Sequence, residues 1–564
     1  AFSHFGAEMS NTTALETLQP SPVASHDVQS HRSAISGAAS AGKIQFSAKG
    51  RSRVLVPYWN FCSAAGRANE GLRAGWREHL QLASKSCGFR YLRFHGLLHD
   101  DMFACRRQNG SLVFNWQYID DLIDALLANG VKPFLEFGFF PKDLAGESDV
   151  RCFWWQAHVT PPEHYRDWCA LVDKLVRHLL GRYGAREVRQ WYFEVWNEPN
   201  LWFFFNSTRS KYFELYRATA TTVKSVDPSL KVGGPATSNF VPDDRFGGEE
   251  QACDKSLTNH LKDLGDAEWR GVWIREFLEF CEREKLPVDF VSAHPYPTDI
   301  PFGHGAEGMR TRPADSTLRD LQWLRRIVNQ SAFPSAEIHL TEWSTSPSGR
   351  DFTHDFPQSA TYIVKTNIEA SGLVDSLAYW TFTDVFEEQG AGDSAFHGGF
   401  GLINYQGIVK PAFHAYRFLN QLGEEEIFRT DSFLATRTRI DHRLRALIWH
   451  YPVEHPDAPP FAGSLDDAER TLATGAPICR EIEIQHLSPT AAFLVETVDA
   501  AHGFALRQWQ AMGSPSSPTP DQTALLRQFA RDTHCQVVNV QRNGVLSLKL
   551  HLAPWALALL REIE

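Results

Sequence analysis

Two glutamates stand where apolar, strand-like segments end, and each has a tryptophan within two residues. Glu198 follows an apolar run over 188–195 and precedes Pro199, while Glu342 ends a second run over 337–342. Because a proline cannot continue a central strand, the first carboxylate is placed at a strand end rather than inside a sheet. Two carboxylates beside aromatic side chains indicate acid–base and nucleophilic chemistry on a sugar.

The alternative is that each glutamate is a satisfied partner in a buried ion pair. That interpretation is the better one for a single strand-end acid, but the matching positions of Glu198 and Glu342 favour catalysis. In glycosidases that retain the anomeric configuration, the two carboxyl groups lie about 5–5.5 Å apart, and one of them forms a covalent intermediate. Spacing along the chain does not decide which glutamate is the acid and which is the nucleophile.

The elements around these glutamates predict an α/β protein built on a (β/α)8 TIM barrel. Eight short apolar segments alternate with amphipathic helical patterns, such as those over 168–179 and 315–330, between residues 53 and 422. Active sites of this fold lie at the C-terminal ends of the strands, so Glu198 and Glu342 are predicted to face one mouth. The predicted strands are 54–59, 91–95, 133–137, 188–196, 230–233, 288–294, 337–342 and 376–381.

The pattern changes on either side of the barrel. Strand-like runs separated by turn residues predict an accessory all-β, sandwich-like domain over 423–564, with a short helical insertion near 513–531. Residues 1–52 are predicted as an irregular N-terminal arm that packs on the β-domain. The segment 238–270 is predicted as an extended loop, and its role is left open.

Composition excludes several classes of function. The chain has 564 residues and a net charge of −11, and it has no basic stripe for a nucleic acid. Its nine cysteines show no metal or disulfide spacing, and no segment is long and apolar enough for a membrane. Residues 1–10 lack the pattern of a signal peptide, but one could already have been removed, so the compartment, cytoplasmic or periplasmic in a bacterium, is left open. A homo-oligomer is left open.

Further segments carry a resemblance to a known family. Asn-Glu-Pro after the fourth predicted strand and Glu after the seventh are the pattern of the clan A glycoside hydrolases. The segments 93–102, 132–139, 379–388 and 396–402, with Lys410 and Pro411, resemble glycoside hydrolase family thirty-nine. The similarity extends from about residue 50 to the C-terminal end. It is strongest to the bacterial β-xylosidases of that family.

This resemblance implies a retaining, exo-acting β-D-xylosidase that acts on xylooligosaccharides without a cofactor. It assigns Glu198 as acid/base and Glu342 as nucleophile. Asn197 is expected to donate to a sugar hydroxyl, and Tyr296 to hydrogen-bond the nucleophile. The remaining candidate substrate contacts are strand-end or loop side chains: His95, His294, Trp380, Glu387, Glu388, Phe139 and Trp202.

Three alternatives stay open. An α-L-iduronidase-like or arabinose-releasing enzyme would use the same two glutamates, and Arg350 and Lys142 are near enough in sequence to serve a uronate. A carbohydrate-binding barrel without activity is opposed by the presence of both glutamates. A metal-dependent hydrolase would need the trio His95, His99 and Asp100 as ligands, but a third distant ligand is not identified. No metal and no cofactor are therefore predicted.

Overall fold

The computed structural model describes residues 43–242, 249, 268–300 and 309–563. Eight parallel strands close into a barrel, and the eighth strand pairs with the first through Tyr379 and Ser63. The predicted fold class is therefore confirmed. The barrel strands are Cys62–Arg67, Tyr91–His95, Lys132–Phe137, Tyr192–Val195, Lys231–Ser238, Phe290–His294, Glu337–Trp343 and Ser376–Tyr379.

One main helix follows each barrel strand and covers it with an apolar face. The helix Arg166–Tyr183 buries Trp168, Leu171 and Leu175 at helical spacing, and Gly184 follows its last residue. Burial of such a face supplies most of the stability of a short helix. The eight helices are Ala74–Cys87, Gln117–Ala128, Arg166–Tyr183, Arg209–Val226, Ile274–Arg283, Ser316–Gln330, Pro357–Glu369 and Pro411–Leu419.

The first barrel strand is not the predicted segment 54–59. Val54 and Val56 are 67% and 68% exposed, whereas Cys62–Arg67 is buried throughout. The strand consists mainly of small residues and contains no β-branched residue. It therefore has no apolar run from which a strand could be predicted. Close packing explains the small residues, because a Cβ at Gly66 would lie 2.4 Å from a Glu70 oxygen. The prediction for the first strand was therefore wrong.

Two larger sheets lie outside the barrel and enclose a separate apolar core. Lys43–Ser47, in the segment predicted as an irregular arm, forms a strand parallel to Ile478–Gln485. Residues 1–42 lie outside the described residues, and the predicted domain limits stay predictions. One sheet contains Lys43–Ser47, Ile478–Gln485 and Leu546–Leu552; the other contains Arg53–Val54, Glu425–Thr430, Phe433–Arg437, Leu444–Trp449, Leu557–Glu562, Ala492–Val498 and His534–Asn539.

Three further helices belong to this C-terminal part: Leu465–Leu472, Leu506–Ala511 and Pro520–Arg531. The last of these lies in the predicted helical insertion near 513–531. Most of the predicted loop 238–270 lies outside the described residues; its two ends pair with each other as Phe240–Val241 and Arg270–Gly271. In the part of the chain that is described, no helix is long and apolar enough to span a bilayer.

Candidate active site

The two glutamates meet at the C-terminal mouth of the barrel. Glu198 follows the fourth strand and Glu342 lies in the seventh, and both side chains are almost fully buried. An oxygen of each carboxyl group lies within 4.8 Å of the other. This separation suits a double displacement, since inverting enzymes hold their carboxyl groups about 6.5–9.5 Å apart to admit a water.

A strained turn presents Glu198 to the mouth. Trp196 and Glu198 have φ values of 75° and 43°, in the left-handed region that non-glycine residues rarely adopt. Each such residue costs on the order of 1–3 kcal/mol and persists only where its surroundings enforce it. Here the Glu198 amide donates to Ala236 O at 2.9 Å, and Trp196 Nε1 donates to Phe204 O at 2.9 Å. The turn therefore has the features of a functional rather than a packing element.

Glu342 receives two strong hydrogen bonds. Arg93 Nη1 donates to Glu342 Oε1 at 2.5 Å, and the Tyr296 hydroxyl donates to Glu342 Oε2 at 3.0 Å. The tyrosine contact is the one that the sequence predicted. A guanidinium and a hydroxyl both stabilise the ionised form of a carboxyl group. These two donors fix both oxygens of Glu342 at the mouth, as a nucleophile requires.

Arg93 joins four strands of the barrel at this point. Its side chain is completely buried and also bonds Glu194 at 2.9 Å, Asn197 Oδ1 at 2.8 Å and Glu136 at 2.8 Å. Burial opposes the charge, but the surrounding glutamates raise the pKa of Arg93 above its usual value. Because Asn197 accepts through its oxygen, its amide nitrogen is the atom that can donate to a sugar hydroxyl.

Arg93→Met should lower the free energy of unfolding by about 3–5 kcal/mol, because it leaves buried carboxylates without their cation. Urea unfolding followed by fluorescence measures this loss. The matched control is Arg77→Met, which breaks a surface ion pair with Asp121 and should change stability by no more than about 1 kcal/mol. Equal losses in the two variants would contradict a central role for Arg93.

His294 and His95 flank the two glutamates in different states. His294 Nδ1 lies 3.0 Å from Glu198 Oε1, and burial lowers the pKa of His294 to about 4, so the ring is neutral. Burial also opposes a charge on His95, but its ion pairs with Glu136 and Glu388 raise the pKa of His95 to about 10. The site therefore holds one neutral and one cationic imidazole.

Glu387 and Glu388 are adjacent in the sequence and are both predicted substrate contacts, but their surroundings differ. Glu387 bonds the guanidinium groups of both Arg67 and Arg73. Glu388 lies 3.6 Å from His95 Nε2, and burial raises the pKa of Glu388 to about 7. Of the pair, Glu388 is the one in contact with the catalytic mouth, and Glu387 anchors its loop to the barrel.

The predicted aromatic residues lie at different depths. Trp380 packs against His95 with ring centroids 4.8 Å apart, at the edge of the mouth. Phe139 has no exposed surface and packs behind His95 and Trp196, so it supports the wall rather than lining it. Trp202 is half-buried and packs against Phe203.

The trio considered for a metal is not brought together. His95 faces the glutamates, whereas His99 Nδ1 lies 2.9 Å from Asp101. The Asp100 carboxylate accepts a hydrogen bond from the backbone amide of Lys142. The three side chains thus have separate partners.

Sequence reasoning missed four residues that hold the site: Arg93, Glu136, Glu194 and Thr341. A signal for the first three was present, because each is a charged residue inside an otherwise apolar strand. Side chains two residues apart point to the same face of a strand. Arg93 and His95 are such a pair on the second barrel strand, and Phe134 and Glu136 are such a pair on the third. A charge on the inner face of a closed barrel near its mouth indicates a site residue.

The comparisons with known proteins agree with this geometry. The family model described as "Glycosyl hydrolases family 39" matches residues 42–246 and 250–546. A beta-xylosidase of Geobacillus stearothermophilus is 37% identical, over 82% of this chain and 84% of that protein. An alpha-L-iduronidase of Mus musculus is 29% identical, over only 33% of this chain and 29% of that protein.

A solved structure gives the same result. The crystal structure of a monomeric beta-xylosidase from Caulobacter crescentus CB15 has a TM-score of 0.78 and 32% sequence identity, and the match covers 93% of this chain and 99% of that one. The family model covers far more than half of the 564 residues. The chain belongs to glycosyl hydrolases family 39.

Proposed function

We propose that this enzyme is a retaining, exo-acting β-D-xylosidase that releases xylose from xylooligosaccharides. The observation that carries the proposal is the pair Glu198 and Glu342, whose oxygens lie within 4.8 Å and whose surroundings differ in charge. Glu342 faces a cation and a hydroxyl, and Glu198 faces a neutral imidazole. The relatives named β-xylosidases match most of the chain, which supports a xyloside as the substrate.

In the first step, Glu342 attacks the anomeric carbon while Glu198 donates its proton to the departing glycosidic oxygen. The carbon–oxygen bond to the aglycone breaks and an ester to Glu342 forms. Arg93 and Tyr296 hold the oxygens of the nucleophile in place until the attack. Their hydrogen bonds also support the ester oxygen as charge leaves it.

In the second step, Glu198 is a carboxylate and takes a proton from water, which attacks the same anomeric carbon. The ester bond to Glu342 breaks, and the sugar leaves with its original configuration. Glu198 is protonated again and both residues return to their initial states. One side chain thus serves as acid and then as base.

The surrounding side chains suit the hydroxyl groups of a neutral sugar. The Asn197 amide, the cationic His95 and the Glu388 carboxyl group surround the catalytic pair and offer both donors and acceptors. A substrate carboxylate would instead need a cation of its own. Arg67, Arg73 and Arg93 are each engaged with glutamate side chains, which favours a xyloside over an iduronide.

A panel of aryl glycosides tests this proposal. The β-xyloside should be cleaved with a kcat/KM at least about tenfold above the arabinoside, the β-glucoside and the α-L-iduronide. The arabinoside misplaces a hydroxyl and loses a polar contact worth about 1.4 kcal/mol or more, and the other two sugars carry an additional group at C5 that must be accommodated. Proton NMR of the first-formed sugar should show β-xylose before mutarotation. Preference for the iduronide, or α-xylose as the first product, would contradict the proposal.

The remaining alternatives are separated by the same substrates together with two further measurements. A carbohydrate-binding barrel without activity would turn over none of these substrates. A metal-dependent hydrolase would lose its activity after treatment with EDTA, whereas the proposed mechanism predicts full activity. Light scattering would distinguish a homo-oligomer from a monomer, the state named for the Caulobacter crescentus structure.

A further inference from the structure

A chain of hydrogen bonds leads from the barrel interior to Glu198. The Thr341 hydroxyl donates to Glu194 Oε1 at 2.8 Å, and His294 Nε2 lies 2.8 Å from the same hydroxyl oxygen. The other ring nitrogen, His294 Nδ1, lies 3.0 Å from Glu198 Oε1. Glu194 and Thr341 are fully buried, and neither belongs to the catalytic pair.

The proton positions along this chain follow from what each group can donate. Arg93 donates to the second oxygen of Glu194, so Glu194 is an acceptor on both sides. Thr341 has one hydroxyl proton and gives it to Glu194, so its oxygen must accept from His294. The ring proton of His294 is therefore on Nε2, and Nδ1 of the neutral ring carries a lone pair.

We propose that Glu194 and Thr341 are positioning residues that fix the tautomer of His294, so that Nδ1 accepts a hydrogen bond from the protonated Glu198 carboxyl group and orients this acid until it gives its proton to the leaving oxygen. The inference rests on the proposed function of Glu198. It adds the reason why this glutamate, and not its partner, carries the proton before catalysis. A lone pair opposite Glu198 favours the protonated carboxyl group and disfavours the carboxylate.

Among the described residues, the charged groups whose contacts with the pair are given act in the same direction or are themselves paired with glutamates. The Glu342 carboxylate lies 3.8 Å from His294 Nδ1 and within 4.8 Å of Glu198. Glu388 adds negative potential near Glu198, and Tyr296 is directed at Glu342. The cations Arg93 and His95 are bonded to glutamates, and burial keeps His294 neutral by lowering its pKa to about 4.

The same arrangement assists the second step. After Glu198 has given its proton to the leaving oxygen, its carboxylate faces the lone pair of His294 Nδ1. This repulsion raises the basicity of Glu198 toward the attacking water. The proton that Glu198 takes from the water restores its hydrogen bond to His294 Nδ1. His294 itself neither gains nor loses a proton in the cycle.

Thr341→Val tests the proposal, because valine has the shape of threonine but cannot accept from His294. The ring is then free to place its proton on Nδ1 and donate to the Glu198 carboxylate, which lowers the pKa of this acid. Since the acid must be protonated, the basic limb of the kcat/KM profile should move about one unit or more toward lower pH. At neutral pH, xylobiose cleavage should fall about tenfold or more, and cleavage of an activated aryl β-xyloside should change little.

Thr341→Ser is the matched control, since it restores the hydroxyl and should restore the basic limb of the unmodified enzyme. An unshifted limb in Thr341→Val would overturn the inference while leaving the proposed function intact. Failure of the proposed function would look different, because the unmodified enzyme would then have no leaving-group-dependent basic limb.

A second measurement needs no variant and so does not depend on the folding of Thr341→Val. Neutron diffraction from crystals of the unmodified enzyme near neutral pH should place deuterium on His294 Nε2 and on Glu198 Oε1. Deuterium on His294 Nδ1, with or without one on Nε2, would contradict the assigned tautomer.

Discussion

Glu342→Ala should lower kcat/KM on an activated aryl β-xyloside by at least about 10⁴-fold, because no covalent intermediate can form without the nucleophile. Sodium azide should restore turnover by occupying the space of the lost carboxylate. It would attack from the face opposite the leaving group, so the product should be the α-xylosyl azide, which NMR identifies.

The control for this variant lies on the same strand. Glu337→Gln alters a glutamate at the other end of Glu337–Trp343, where it bonds Lys231 and Tyr192 far from the mouth. This variant should keep most of the activity. A β-xylosyl azide from Glu342→Ala would place Glu342 on the leaving-group side and reverse the assigned roles.

Glu198→Ala should produce an effect that depends on the leaving group. Xylobiose, whose departing hydroxyl needs a proton, should lose about 10²–10⁴-fold in kcat/KM, whereas a dinitrophenyl β-xyloside should nearly keep its first step. Water then lacks its base, so a burst of dinitrophenol should precede slow turnover. Azide should accelerate this turnover and yield the β-xylosyl azide.

Glu388 is the competing candidate for the acid, because burial raises the pKa of Glu388 to about 7. Its contact is His95 rather than Glu198 or His294. Glu388→Gln should therefore raise KM for good and poor leaving groups alike and keep the basic limb of the pH profile. Equal rate losses for both substrates in Glu198→Ala, with that limb intact, would transfer the acid role away from Glu198.

Much of the barrel follows from pattern alone, and the exception is instructive. Strand and helix periodicity locates seven of the barrel strands because each has an apolar run of its own. Cys62–Arg67 has none, since its small residues are selected by the space available inside the barrel rather than by strand propensity. Local patterns do not contain that information, because the space is set by residues distant in the chain.

The site shows the same division. Pro199 and the ends of the apolar runs place Glu198 and Glu342 at the mouth, but their roles depend on Arg93, Tyr296 and His294. These three partners come from the second and sixth strands and the segment that follows the sixth. The roles therefore become distinct only when the barrel closes.

The adjacent pair Glu387 and Glu388 illustrates the limit most simply. Successive residues in an extended loop point in different directions, so one glutamate meets Arg67 and Arg73 while the other meets His95. Sequence identifies the two acids as a pair. Only the folded chain tells which of them faces the substrate.

The most direct test of the central claim is to trap the covalent intermediate. Glu198→Ala would be mixed with the dinitrophenyl β-xyloside, quenched in acid during the steady state, digested and mapped by mass spectrometry. A retaining mechanism with Glu342 as nucleophile predicts one pentosyl group on the peptide that contains Glu342, at the carboxylate of that residue. An enzyme without an adduct during turnover, or with the pentosyl group on Glu388 or another residue, would contradict it.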